Sequence, residues 1–185
     1  MSEIIPAILS KSEKDLKEKI ATLPTAINFI HFDVWEEDFW IDAINIDFEA
    51  HLMVKEPGQI IDKWVKRGAK RIILHSLGSR ASKLIGTEIG LGVELDVPIE
   101  KIFPLMSQID FIHLMSIAQI GAQGRPLDER IFDRIKMAKE KFPRLPISVD
   151  GGINTTNYQA LKNSGADRLI VGSGFKDLWE SLTKK

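Results

Sequence analysis

Two histidines and two aspartates in this chain have the types and the strand-end positions of metal ligands. The first pair lies in FIHFDVW, residues 29–35. Side chains alternate faces along a strand, so His31, Asp33 and Trp35 point one way and Ile30, Phe32 and Val34 the other. A buried aspartate beside an imidazole is costly unless something compensates it, so the pair needs either water or a further partner. The chain has four histidines, His31, His51, His75 and His113, each within or at the end of an expected strand. Asp33 ends the second expected strand and Asp150 the seventh. Together His31, Asp33, His51 and Asp150 would make a two-histidine, two-carboxylate site suited to zinc, iron, manganese or cobalt. Spacing does not choose among these metals.

A second signal is anionic. SVDGGIN (148–154) runs from an expected strand through two glycines towards a helix that Asn154 or Thr155 could cap. VGSGF (171–175) repeats the arrangement after the eighth strand. Glycines let backbone N–H groups approach a phosphate, and helix N-termini favour its charge. A single glycine pair is the default of any tight turn. Two pairs in these positions favour a phosphate pocket.

The elements that must position these groups are short apolar runs alternating with amphipathic stretches. Strands are expected at 4–9, 27–34, 50–54, 71–75, 90–95, 110–115, 146–150 and 167–172. Helices are expected in KSEKDLKEKIATL (11–23), PGQIIDKWVKRG (57–68), PIEKIFPLM, DERIFDRIKMAKEKF, NYQALKNSG and FKDLWESL, with one short turn in SRASKLIG (79–86). Ser12 and Asp15 have capping-box spacing, and Leu16, Ile20 and Leu23 form one stripe. Eight strands interleaved with helices predict an α/β fold, a (β/α)8 TIM-type barrel forming a single domain over residues 1–185. It would be trimmed, because WEEDFWIDAINIDFE leaves almost no room for the second helix. An open doubly wound sheet competes, but it would normally show a glycine-rich turn after the first strand, and PAILSKSEKD has none.

Composition narrows the partners. The 185 residues are 44% hydrophobic and 28% charged, with net charge −1 and no cysteine. Disulfides, thiol catalysis and cysteine-bound metals are excluded. With no basic stripe, no nucleic-acid partner is expected. No membrane span or secretory signal is expected either, and the predicted location is cytoplasmic.

AILS near the start, HFDVW, HLMVKEP, HLMS, SVDGGIN and VGSGF resemble the ribulose-phosphate 3-epimerase family, in that order, from about Ile5 to Phe175. The resemblance implies that His31, Asp33, His51 and Asp150 hold one divalent metal and that Asp33 and Asp150 serve as acid and base. It also implies that Ser10, Met53 and Met115 line the substrate site. Gly121, Gly151, Gly152, Gly172 and Ser173 would serve the phosphate. The implied reaction inverts C3 of a pentulose phosphate, ribulose 5-phosphate to xylulose 5-phosphate, through an enediolate, and needs no organic cofactor.

Three departures from the family pattern matter. Trp35 stands where a methionine is usual. Glu36, Glu37 and Asp38 replace an aspartate–glycine turn and would repel an anionic sugar unless they face away or hold a cation. The loop MSIAQIGAQGRPL lacks the proline–glycine start of the family's phosphate lid, although Arg125 could add positive charge. The missing helix also bares apolar surface, including Ile44 and Ile46, so a homo-oligomer is expected. The alternative to an active epimerase is a non-catalytic or weakly active metal- and phosphate-binding barrel derived from the family.

Overall fold

The computed structural model describes residues 2–35, 37–42, 44–77, 86–118 and 124–184. Eight parallel strands close into a barrel in sequential order. They are β1 Glu3–Leu9, β2 Phe29–Val34, β3 Asp47–Leu52, β4 Arg71–Leu74, β5 Glu88–Val93, β6 Phe111–Met115, β7 Ile147–Asp150 and β8 Arg168–Val171. All eight expected strands are present, and β8 pairs with β1 to complete the ring. β3 starts at Asp47, three residues before its expected apolar run, because Phe48 packs outward while Glu49 is buried inside.

Among the described residues five α-helices cover the barrel: α1 Glu13–Ala21, α2 Ile61–Lys66, α3 Arg130–Lys141, α4 Tyr158–Asn163 and α5 Phe175–Thr183. The Ser12 hydroxyl accepts from the Asp15 amide at 3.1 Å and caps α1 as its spacing predicts, a bond typically worth about 1 kcal/mol. PIEKIFPLM does not form an α-helix. Ile99–Gln108 is a 3-10 run, and Pro104 inside it removes a backbone donor that an α-helix would use. PGQIIDKWVKRG divides into a 3-10 turn, Pro57–Gln59, and α2. The expected turn at 79–86 lies, but for Gly86, outside the described residues.

Among the described residues no helix joins β2 to β3. Trp40 takes its place, packing at 6.1 Å from Phe32, 5.4 Å from Phe48 and 5.6 Å from Trp64 between ring centroids. Ile41, Ile44 and Ile46 are partly buried against the same core. Arg67 lies 4.7 Å over both Trp40 and Trp64 and pairs with Asp38 at 2.5 Å, and Lys63 joins that pair. The surface bared by the missing helix is thus largely covered by the chain itself.

Outward strand residues such as Ile30, Ile72, Leu114 and Val149 form the main core with the helices. The barrel interior carries apolar Ile5, Ile73, Phe111 and Ile170 together with an unusual polar set: His31, Glu49, His51, His113, Ser148 and Asp150, all buried. Gly90 exists to admit Phe111, since a Cβ there would stand 2.3 Å from the ring. Below this set, at the N-terminal mouth, Arg71 lies 3.4 Å from Glu3 and 3.5 Å from Glu88, and Arg168 lies 3.3 Å from Glu88.

Candidate active site

Alternation along β2 and β3, which run in register with His31 beside Glu49 and Asp33 beside His51, sends all four side chains towards the barrel interior. Asp150 arrives from β7 and His113 from β6. The convergence is close. His31 Nε2 lies 3.3 Å from Asp33 Oδ1 and 3.9 Å from Asp150 Oδ2. His51 Nδ1 lies 3.6 Å from each of the same two carboxylates. The four residues singled out by sequence therefore meet at one point.

The structure adds a fifth residue. His31, His51, His113 and Asp150 each offer one ligand atom, and these atoms all lie within 4.8 Å of one another. His113 Nε2 is 3.3 Å from Asp150 Oδ2, and its ring stacks on His31 at 5.5 Å. The sequence marks His113 as a strand-end histidine but nothing in its spacing assigns it to the site. His75, on the next turn after β4, reaches His51 Nε2 with its own Nε2 at 2.8 Å. Gly92 makes room for that ring, because a Cβ there would lie 3.0 Å from it.

These residues fit a metal ion. His51 Nδ1 is buried with no hydrogen-bond partner among the described residues, yet it aims between two carboxylates at a distance too long for a hydrogen bond. Tetrahedral ligands at about 2.0–2.1 Å from one ion stand about 3.4 Å apart. The observed separations of 3.3–3.9 Å are of that size.

Without an ion, the charges are balanced among the side chains. Burial pushes the His31 pKa down, but hydrogen bonds to Asp33 and Glu49 outweigh it and hold it well above the usual imidazole value. His51 is also raised against its burial, by the negative charges of Asp150 and Asp33 beside it. Burial also pushes both aspartates up, and the histidines win again: His31 and His51 hold Asp33 low, and His113 and His51 hold Asp150 low. At His113 burial prevails and pushes the pKa down to about 4, and at His75 burial pushes it to about 3.

Above this cluster opens a cleft. Asp33, Asp150, Met53, Met115, Gly151, Gly152, Gly172, Ser173 and Arg125 all line it. Ser10 does not. It lines an adjoining crevice with Phe32, Phe39 and Trp64 that shares only Asp33 with the main cleft, and its hydroxyl is buried without a partner among the described residues. Gly121 lies outside the described residues. Trp35 is 37% exposed and is not among the cleft residues, since β2 ends at Val34 and the alternation stops there. Asp38 faces away from the cleft, held by Lys63 and Arg67, so one of the three acidic groups expected to repel an anion is neutralised. Glu37 is exposed and lines only the adjoining crevice, and Glu36 lies outside the described residues.

The glycine turn after β7 is built for close backbone approach. Gly151 and Gly152 have φ of 116° and 67°, and a Cβ on Gly152 would sit 2.3 Å from the Leu127 amide nitrogen. Ser116 ties this turn to the end of β6, its hydroxyl donating to the Asp150 and Gly151 carbonyls at 2.8 and 2.6 Å. The helix α4 begins only at Tyr158, with Asn157 at its cap, because Asn154 instead accepts from the Thr156 amide at 2.8 Å.

The fold and the site define a class: a closed (β/α)8 barrel with a buried histidine–aspartate cluster that could hold a metal ion, beneath a cleft at the C-terminal ends of its strands. The sequence profile of the Ribulose-phosphate 3 epimerase family matches residues 3–176, and the chain belongs to that family. It is accordingly an enzyme of the isomerase class. Ribulose-phosphate 3-epimerase of Aquifex aeolicus is 28% identical over 214 residues, covering 100% of this chain and 95% of that protein. The Escherichia coli enzyme of the same name is 26% identical, covering 94% and 88%. Among solved structures, 3-hexulose-6-phosphate synthase from Salmonella typhimurium superposes with a TM-score of 0.72 at 15% identity, over 95% of this chain and 90% of that one. That likeness concerns the fold.

Proposed function

We propose that the protein is a metal-dependent epimerase that inverts C3 of a pentulose phosphate, interconverting ribulose 5-phosphate and xylulose 5-phosphate. One observation carries the reading: Asp33 and Asp150 line one cleft and both lie within 3.6 Å of the same histidine nitrogen. Family membership names the reaction, since the relatives that match over most of their length are ribulose-phosphate 3-epimerases.

Inversion next to a ketone requires removing a proton from C3 and returning one on the other face. Asp33 and Asp150 are the base and the acid, one starting ionised and the other protonated. Their side chains are equally enclosed, 12% and 13% exposed, and their histidine partners differ: Asp33 lies 3.3 Å from His31 Nε2 and Asp150 3.3 Å from His113 Nε2. His31, His51 and Asp150, with Asp33 or His113 completing the set, would hold a divalent ion of zinc, iron, manganese or cobalt. When bound it supplies positive charge for the ketose oxygens as the enediolate develops. Met53 and Met115 give the reacting carbons an apolar wall that excludes water. Gly151, Gly152, Gly172 and Ser173 offer backbone N–H groups to the phosphate, with Arg125 adding charge beside them.

The test is conversion of ribulose 5-phosphate, followed by a coupled assay with added manganese, iron or zinc, for the parent and for Asp150→Asn. Turnover is expected in the parent, with a loss of at least about a hundredfold in the variant, as for removal of a general acid or base. A parent that binds phosphate but leaves the sugar unchanged overturns the catalytic reading.

A further inference from the structure

Glu49 is a fully buried carboxylate that the acid–base chemistry does not use. Strand pairing sets it directly between two other residues, with His31 as its register partner on β2 and Arg71 on β4. Its two oxygens do separate work. Oε1 lies 2.7 Å from His31 Nδ1, and Oε2 accepts from Arg71 at 3.1 Å. The opposite edge of the same imidazole, Nε2, faces Asp33 and Asp150.

We propose that Glu49 is a positioning residue of the metal centre, holding the Nδ1–H of His31 so that Nε2 is the nitrogen presented to the ion. The inference rests on the reading of His31 as a ligand. A ring nitrogen can ligate only where it carries no proton, so the partner of the other nitrogen sets which one that is. A neutral acceptor would define the tautomer less firmly, and a carboxylate also increases the electron donation of the ring. Arg71 explains how that carboxylate is tolerated, since its side chain is only 14% exposed and supplies the opposite charge inside the barrel. Neutralising Arg71 does not account for Glu49, because Glu3 and Glu88 already lie 3.4 and 3.5 Å from that guanidinium. A purely structural role would be met as well by an apolar pair, which buried ion pairs seldom outperform.

The experiment measures zinc affinity of the full chain by competition with a chromophoric chelator, for the parent, Glu49→Gln and the double variant Glu49→Gln/Arg71→Met. The double variant removes both charges, so that no unpaired buried charge confounds folding, and thermal unfolding of the metal-free proteins is followed in parallel. Ring 15N spectra of the zinc-loaded proteins report which His31 nitrogen carries the proton, its signal identified by loss in His31→Gln. Expected are one bound equivalent in the parent, affinity weaker by about 10–100-fold in both variants, and a mixed His31 tautomer in place of the single Nδ1–H form. Variant affinity within twofold of a parent that binds normally overturns the role of Glu49 and leaves the ligand reading intact. A parent that binds no zinc, iron or manganese overturns both.

Discussion

At His113, burial and charge pull in opposite directions: burial drives the pKa down to about 4, while the hydrogen bond to Asp150 resists. The sign of the consequence follows from where protons go. An unfolded histidine titrates near about 6.5. Between that pH and about 4 the unfolded chain therefore takes up a proton that folded His113 refuses, and stability falls as pH falls through this window. His75, pushed to about 3, acts in the same sense. His31 and His51 are raised, so their contribution is complete below the unfolded value and is lost only as pH rises above it. The aspartates are lowered and lose theirs in stronger acid. Urea unfolding of the EDTA-treated protein from pH 4 to 7 should thus show stability rising with pH, and His113→Gln should flatten that rise by up to about 1.4 kcal/mol per pH unit. An unchanged slope would mean that His113 is protonated in the folded protein.

Among the elements, the turn from β7 towards α4 has the least freedom. Gly152 holds a φ of 67° with the Leu127 amide 2.3 Å from where a Cβ would sit. Gly152→Ala must displace either that turn or residues 126–127, at a cost of about 1–3 kcal/mol. Because the turn lines the cleft and not the histidine cluster, KM for ribulose 5-phosphate should rise about tenfold, a loss of about 1.4 kcal/mol. Zinc affinity should stay within about threefold. Steady-state kinetics and chelator competition check the two halves. Elements were legible in the sequence where period and punctuation agree: every strand, the Ser12 cap, and the glycine-rich turns. PIEKIFPLM misled because its apolar spacing is helical while Pro104 withholds the donor that the spacing presupposes. Glu49 was invisible for a different reason. A carboxylate near a strand's start reads as solvated, and only the pairing of three strands reveals that His31 and Arg71 enclose it. Alternation does put Glu49 on the face of His51 and Met53, which is the signal that could have flagged it.

Across the whole molecule, the site exists only because the sheet closes. Asp33 and Asp150 are 117 positions apart in the chain and share a cleft because β2 and β7 stand in the same ring. The barrel achieves this with a reduced outer layer, Trp40 and its neighbours taking the place of a helix between β2 and β3 and keeping the strands that carry His31 and His51 packed. We propose that these two carboxylates, gathered by closure, exchange the C3 proton of one sugar. Proton NMR of ribulose 5-phosphate incubated with the metal-loaded protein in D2O decides this. Two carboxylates, each exchanging with solvent, should yield xylulose 5-phosphate carrying deuterium at C3, and neither inversion nor C3 exchange should exceed background when both Asp33→Asn and Asp150→Asn are present. Inversion without deuterium at C3, or undiminished inversion in that double variant, would contradict it.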